Sequence, residues 1–266
     1  MQELSVCASV MEIRGLKAKA DDEFLLKRTD NSAQSDLRLV RTGCYPGAVV
    51  NYLHPQDPEG GGPQNLTLIF RSEDGGQNWR HMTEPVRYDP AWPGAVDGPC
   101  PGCIEGNAVV SPDGKVCDYL RIDHASANPA YGKAVILEMT DPDAPMKLHK
   151  IVNCPIGSNA KFQLRRDPET GIYLVIGSEV DNPATPKQRT VLSLCISRDF
   201  ETWETVDRLI DRRDANPQKE GYQYVDWQFD GNDLIVVCRT AVNAAHNDHD
   251  SNCITFHRVA DFRQWL

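Results

Sequence analysis

Ser72-Glu73-Asp74-Gly75-Gly76-Gln77-Asn78-Trp79 follows directly on the apolar run Leu66-Thr67-Leu68-Ile69-Phe70 and Arg71. The pattern is S-x-D-x-G-x-x-W, and its physics is local. A Ser and an Asp hydrogen-bond the backbone of a tight turn, glycines supply positive φ angles, and Trp packs beneath the hairpin as a plug. Such a stretch marks the end of a β-hairpin and carries no chemistry of its own.

Working outward, strand-like runs dominate the chain: Ala108–Val110, Lys133–Glu138, Gly171–Ile176, Thr190–Ile196 and Asp233–Cys238. They are short, β-branched and bounded by Gly, Pro, Asp or Asn. No long stretch keeps apolar residues at helical spacing. The turn signal recurs after two of these runs and once more near the end of the sequence. Ser197-Arg198-Asp199-Phe200-Glu201-Thr202-Trp203 follows Leu-Cys-Ile, one residue short and without its glycine. Thr140-Asp141-Pro142-Asp143 follows Val-Ile-Leu in more degenerate form, and Ile254–His257 runs into Asp261-Phe262-Arg263. Spacings near sixty residues fit one four-stranded antiparallel unit with long loops, and such repeats build β-propellers. About four units fit between residue 40 and the C-terminus. The expected organisation is a weakly patterned segment or partial blade over 1–40 and a propeller over 41–266.

A second repeat points at function. Glu105 and Tyr222 each stand eight residues before an Asp-Gly turn, Asp113-Gly114 and Asp230-Gly231. In both cases the returning strand ends in arginine, Arg121 or Arg239, sixteen and seventeen residues after the lead residue. A strand, a turn and a returning strand place the lead residue beside its arginine at one end of the hairpin. The repeat alone nominates Arg239 as an anion-binding group.

Composition sets limits. Of 266 residues, 38 are acidic and 28 basic, for a net charge of −10. That balance argues against nucleic acid as a partner, while a local arginine cluster can still reverse the field inside a cleft. No run of about 18 apolar residues is present, so no membrane-spanning helix is expected. The opening MQELSVCASVMEIRG lacks a basic start and a long apolar stretch, so no signal peptide is expected and the chain as it stands reads as cytoplasmic. Nine cysteines are scattered, apart from Cys100-Pro101-Gly102-Cys103. With no second CxxC or CxxH at ligand spacing, neither a zinc site nor a disulfide scaffold is expected. Cys117, Cys195, Cys238 and Cys253 read as small core residues.

From about Arg71 to Arg263 the chain resembles bacterial sialidase-like glycoside hydrolases, built on Asp-box (BNR) repeats and six-bladed propellers. The stretches that carry the resemblance are IEGNAVVSPDGKVCDYLRID, SNAKFQLRRDPETGIY and GYQYVDWQFDGNDLIVVCRTAVNAAHNDHDSNCITFHR. The resemblance implies an all-β propeller, whole or short of its N-terminal blades, whose relatives are often exported. It implies an exo-acting retaining hydrolase that releases a terminal acidic sugar from a glycan, without a cofactor or metal. In that chemistry a glutamate deprotonates a tyrosine nucleophile, an exception to the two-carboxylate rule, and arginines clamp the substrate carboxylate. Carried onto this chain, Glu105 is the glutamate, Tyr222 the nucleophile with Tyr224 as rival, and Arg121 a clamp residue. The blade expected to supply another arginine offers Lys161, with Arg165 and Arg166 further along. No Arg-Ile-Pro and no clear acid/base aspartate precede these residues, although Asp123 and Asp226 are candidates for the latter. The polar tract around His246, His249 and Asn252 is expected to line the pocket mouth and bond sugar hydroxyls. Two other functions suit the same residues: a non-catalytic glycan-binding propeller, and a polysaccharide lyase in which His246 or His249 and a tyrosine take the proton α to a uronate.

Overall fold

The computed structural model describes the strands at 6–9, 36–39, 47–54, 64–71 and 80–81, and then residues 86–96, 102–123, 132–141, 144–156, 160–180, 188–243 and 245–266. The Ser72–Trp79 turn lies outside the described residues, as do Cys100, Asp143 and Ser158-Asn159.

The described residues are all-β, with one 3-10 turn at Phe262–Trp265. β1 (Val6–Ser9) pairs with β2 (Asp36–Leu39). β3 (Gly47–His54), β4 (Gln64–Arg71), β5 (Arg80–His81) and β6 (Val86–Arg87) form a second antiparallel sheet. β7 (Gly102–Val110), β8 (Val116–Asp123), β9 (Lys133–Glu138) and β10 (Lys147–Asn153) form a four-stranded sheet in chain order. So do β11 (Phe162–Arg166), β12 (Tyr173–Ser178), β13 (Val191–Ser197) and β14 (Glu204–Asp211). A three-stranded sheet follows, of β15 (Gly221–Asp230), β16 (Asp233–Ala241) and β17 (Cys253–Val259). No described helix is long and apolar enough to cross a membrane.

The chain divides into two compact units, residues 1–125 with 135–151, and residues 126–134 with 152–266. In the second unit the middle strands are buried on both faces, which is why β12 and β13 read as unbroken apolar runs. Outer β14 is only partly covered. Leu174, Leu192, Leu194, Trp227, Val236 and Phe262 meet in its core, each such side chain contributing about 1.5–3 kcal/mol by leaving water. The Trp227 indole N–H donates to the Gln163 carbonyl at 2.9 Å, so the largest buried ring leaves no donor unpaired.

The second turn signal folds as its sequence predicts. Asp199 Oδ1 accepts from the backbone N–H of Thr202 and Glu201 at 2.6 and 2.9 Å and from the Ser197 hydroxyl at 3.0 Å. The missing glycine is replaced by strain: Phe200 sits at φ 74°, held there by its ring 4.8 Å from that of Tyr173. Of the cysteines expected in the core, Cys117, Cys195 and Cys238 are buried, whereas Cys253 is half-buried.

Candidate functional site

Both hairpins of the second repeat are present, and both carry a bulge where the repeat begins. In the first, Ile104 pairs with Arg121 and Asn107 with Tyr119, so Glu105 and Gly106 form an extra residue in the ladder. In the second, Gln223 pairs with Arg239 and Asp226 with Val237, and Tyr224 and Val225 form the extra residue. The leading bulge residue is left-handed in each, Glu105 at φ 56° and Tyr224 at φ 51°. Each one meets the arginine of the returning strand.

The first hairpin turns through residues 111–115 and the second through 231–232. Counting back from the Asp-Gly pair therefore lands on Tyr222, two residues before the backbone equivalent of Glu105. The structural counterpart of Glu105 is Tyr224.

In the first unit Glu105 and Arg121 are 3% and 8% exposed and form an ion pair, Oε2 to Nε at 2.6 Å. Gly106 makes the bulge possible, because a Cβ there would lie 2.0 Å from Oδ1 of the fully buried Asp118. Asp123 lies at the end of β8.

In the second unit the structure separates the two tyrosines. Tyr222 is 8% exposed and belongs to the core. Its hydroxyl donates to Glu220 Oε1 at 2.8 Å. Burial, and then that acceptor, push the phenol up to about 12, the wrong direction for a nucleophile. Tyr224 is half-buried, with the Arg239 guanidinium carbon 4.0 Å from its ring centre and Lys161 Nζ at 6.0 Å. Lys161 is itself 1% exposed and donates to the Val225 carbonyl at 3.2 Å, so the bulge holds one cation as well as meeting another. On Arg239, Nε and Nη2 are buried and bond to none of the described residues. Those two atoms form one edge of the guanidinium.

The other residues expected at the site divide. Arg165 spends its fork on β15, Nε donating to the Trp227 carbonyl at 2.7 Å and Nη2 to Asp226 Oδ1 at 3.0 Å. It is a brace for the strand below the bulge, and it engages Asp226. His249 reaches Tyr224, the two rings edge-to-face with centroids 5.8 Å apart, and its Nδ1 lies 3.0 Å from Asp250 Oδ1. His246 is exposed, and its carbonyl accepts from Lys219 at 2.7 Å. Asn252 turns inward on its own loop, its amide donating to the Val242 carbonyl at 2.8 Å and its carbonyl accepting from Val242 N–H at 3.2 Å. Gln223, absent from the sequence expectations, is fully buried and bonds the loop that carries His249. Among the described residues no three His, Cys, Asp or Glu side chains converge as metal ligands would.

What the second-unit arrangement can do is bind an anion beside a phenol. Two cations flank Tyr224, one of them with a buried donor edge that bonds to none of the described residues, and an imidazole closes a further side.

No family model matches the chain, and no curated protein matches it. Solved structures do. A Trypanosoma rangeli sialidase in complex with sialic acid superposes with a TM-score of 0.54 at 14% identity, over 82% of this chain and 30% of that one. A second structure of Trypanosoma rangeli sialidase gives 0.53 at 14%, over 80% and 29%. The Bombyx mori GH32 beta-fructofuranosidase gives 0.50 at 14%, over 83% and 45%. The chain spans under a third of the length of these two sialidases. At this identity the likeness is one of fold, and the fold is that of the propeller glycoside hydrolases.

Proposed function

We propose that this protein is an exo-acting retaining glycoside hydrolase of sialidase type, releasing a terminal acidic sugar. In this reading Tyr224 is the nucleophile, and Arg239 and Lys161 bind the sugar carboxylate. The observation that carries it is the Arg239 edge. Nε and Nη2 are buried without a partner among the described residues, a costly state for a charged donor pair. A carboxylate accepts from two such parallel N–H groups at once. A phenol is also a suitable nucleophile beside an anionic sugar, because a carboxylate there would be repelled. The roles of general base for Glu105 and of a further anion-binding group for Arg121, which are ion-paired with each other, are proposed on the family resemblance alone.

The test is turnover of an aryl α-sialoside by point variants. Tyr224→Phe should lower kcat by about 10³-fold, and Tyr222→Phe should change it by less than about 3-fold. Arg239→Lys should raise KM for the acidic substrate by about 10-fold or more, since lysine cannot present the fork. Full activity in Tyr224→Phe would remove the tyrosine from the chemistry. Undiminished binding of free sialic acid without turnover would favour a non-catalytic glycan binder.

The edge-to-face contact of His249 with Tyr224 favours one other chemistry, β-elimination on a uronate with the histidine or the phenol as proton acceptor. A lyase would give an unsaturated, ultraviolet-absorbing sugar from polyuronate where a hydrolase gives none.

A further inference from the structure

We propose that Gln223 is the positioning residue of this site. It clasps loop 246–250 from below and sets His249 beside Tyr224, so that the loop reads a part of the acidic sugar that Arg239 does not hold. The inference rests on Tyr224 and Arg239 forming the site.

Four observations carry it. Gln223 stands directly before the Tyr224 bulge and pairs with Arg239 across the ladder, so it belongs to the backbone that fixes both groups. Its side chain is fully buried, and its single amide nitrogen donates to two consecutive loop carbonyls, Asp248 at 2.8 Å and His249 at 2.7 Å. The amide oxygen is buried with no partner among the described residues. An apolar side chain of equal length would fill the space without orphaning an acceptor. The polar group is thus accounted for by the loop alone. Second, Gly221, on the same face of β15, lets the loop descend: a Cβ there would meet the Asp248 carbonyl oxygen at 3.0 Å.

Third, the loop is tied elsewhere as well. Arg189 Nη1 meets Asp248 Oδ2 at 3.2 Å, and Asp248 N–H donates to the Gln218 carbonyl at 3.1 Å. Asn247 Oδ1 accepts from Asp250 N–H at 2.6 Å, and its amide donates to Asp250 Oδ2 at 2.7 Å, which fixes the carboxylate that holds His249. Fourth, His249 itself is 49% exposed yet restrained at its carbonyl, at Nδ1 and along its ring. No described residue bonds its Nε2. An exposed side chain adds little to stability when pinned, so pinning it at three points serves recognition.

Gln223→Met keeps the length and removes both donors. In the full chain, hydrogen exchange at the amides of 246–250 should accelerate about 10-fold, with the β15–β16 ladder unchanged. Unchanged loop exchange would overturn the clasp whatever the enzyme turns over. With an aryl α-sialoside, Gln223→Met and His249→Ala should each raise KM about 5–10-fold and leave kcat within about 2-fold, and the double variant should be no worse than either. Additive effects would overturn the proposal, as would a fall in kcat that follows melting temperature. Should Gln223→Met fail to fold, Gly221→Ala presses on the loop from the strand and should release it equally. If the wild-type protein does not turn over the sialoside, the hydrolase reading falls. The same double-mutant cycle on sialic acid binding, with the loop exchange, then decides the inference on its own.

Discussion

Tyr222 and Tyr224 stand two residues apart on one strand, and their surroundings could hardly differ more. One phenol is sealed in the core with a carboxylate acceptor, and the other lies between two cations. The sequence pattern contains both residues and their arginine, but it cannot distinguish them, because a bulge is a backbone event. Neither Glu105 nor Tyr224 is a residue type that advertises a positive φ. Gly106 is the one legible trace, and it marks only the first hairpin. Its role gives a prediction at this scale. Gly106→Ala would push Cβ into the buried Asp118 carboxylate, so the variant should lose about 2–3 kcal/mol in urea titration. A loss under about 0.5 kcal/mol would show that Asp118 moves aside freely. The sequence names Lys161 and Arg165 alike from their place in the blade, and it does not reveal that Arg165 is spent on β15. Arg165 is braced on Trp227 and Asp226, whereas one buried edge of Arg239 bonds to none of the described residues.

Strands were the most legible elements. The apolar runs of the sequence coincide with β4, β7, β9, β12, β13 and β16, off by a residue or two at the ends. Turn chemistry was legible too, down to the substitution that departs from the pattern. At Ser197–Trp203 the aspartate does the work, and this makes the turn sensitive to acid. The backbone N–H of Thr202, then that of Glu201 and the Ser197 hydroxyl, draw the Asp199 carboxyl down to about 2 against the opposing pull of burial. A folded value below the unfolded one means that the ionised carboxylate stabilises the fold above about pH 4. That contribution is lost as pH falls towards about 2. Asp199→Asn should therefore flatten the pH dependence of urea unfolding across this interval, while lowering stability at neutral pH. An unaltered acid limb would mean that the turn opens before the rest of the unit. The loop that carries His249 was the least legible element. Its side chains read as a generic polar mouth, while a glutamine and a glycine on a strand 25 and 27 residues before Asp248 meet its backbone.

At the scale of the whole chain, the architecture class followed from many short signals in agreement, and the comparison with solved structures is consistent with that class. What closes the second unit was not foreseen. Arg263, in the last turn, forks onto Asp167 at 2.8 and 3.0 Å, and Asp167 is fully buried. Burial opposes that charge, but Arg263, the Thr170 hydroxyl and the Glu169 N–H outweigh it and hold the carboxyl below its ordinary range. Arg263→Ala would leave the carboxylate buried and half-satisfied, at a cost of about 2–4 kcal/mol. Arg263→Lys should recover part of this in the same denaturation experiment. Equal stability of all three proteins would mean that Phe262 alone anchors the C-terminus. The paired bulges have a different consequence. The direction of each leading side chain is set by a kinked, left-handed peptide and an opposing arginine, whatever the side chain happens to be. One socket holds an acid and the other a phenol on nearly the same backbone. A side chain in such a socket can be exchanged, by selection or by design, without rewriting the scaffold that aims it.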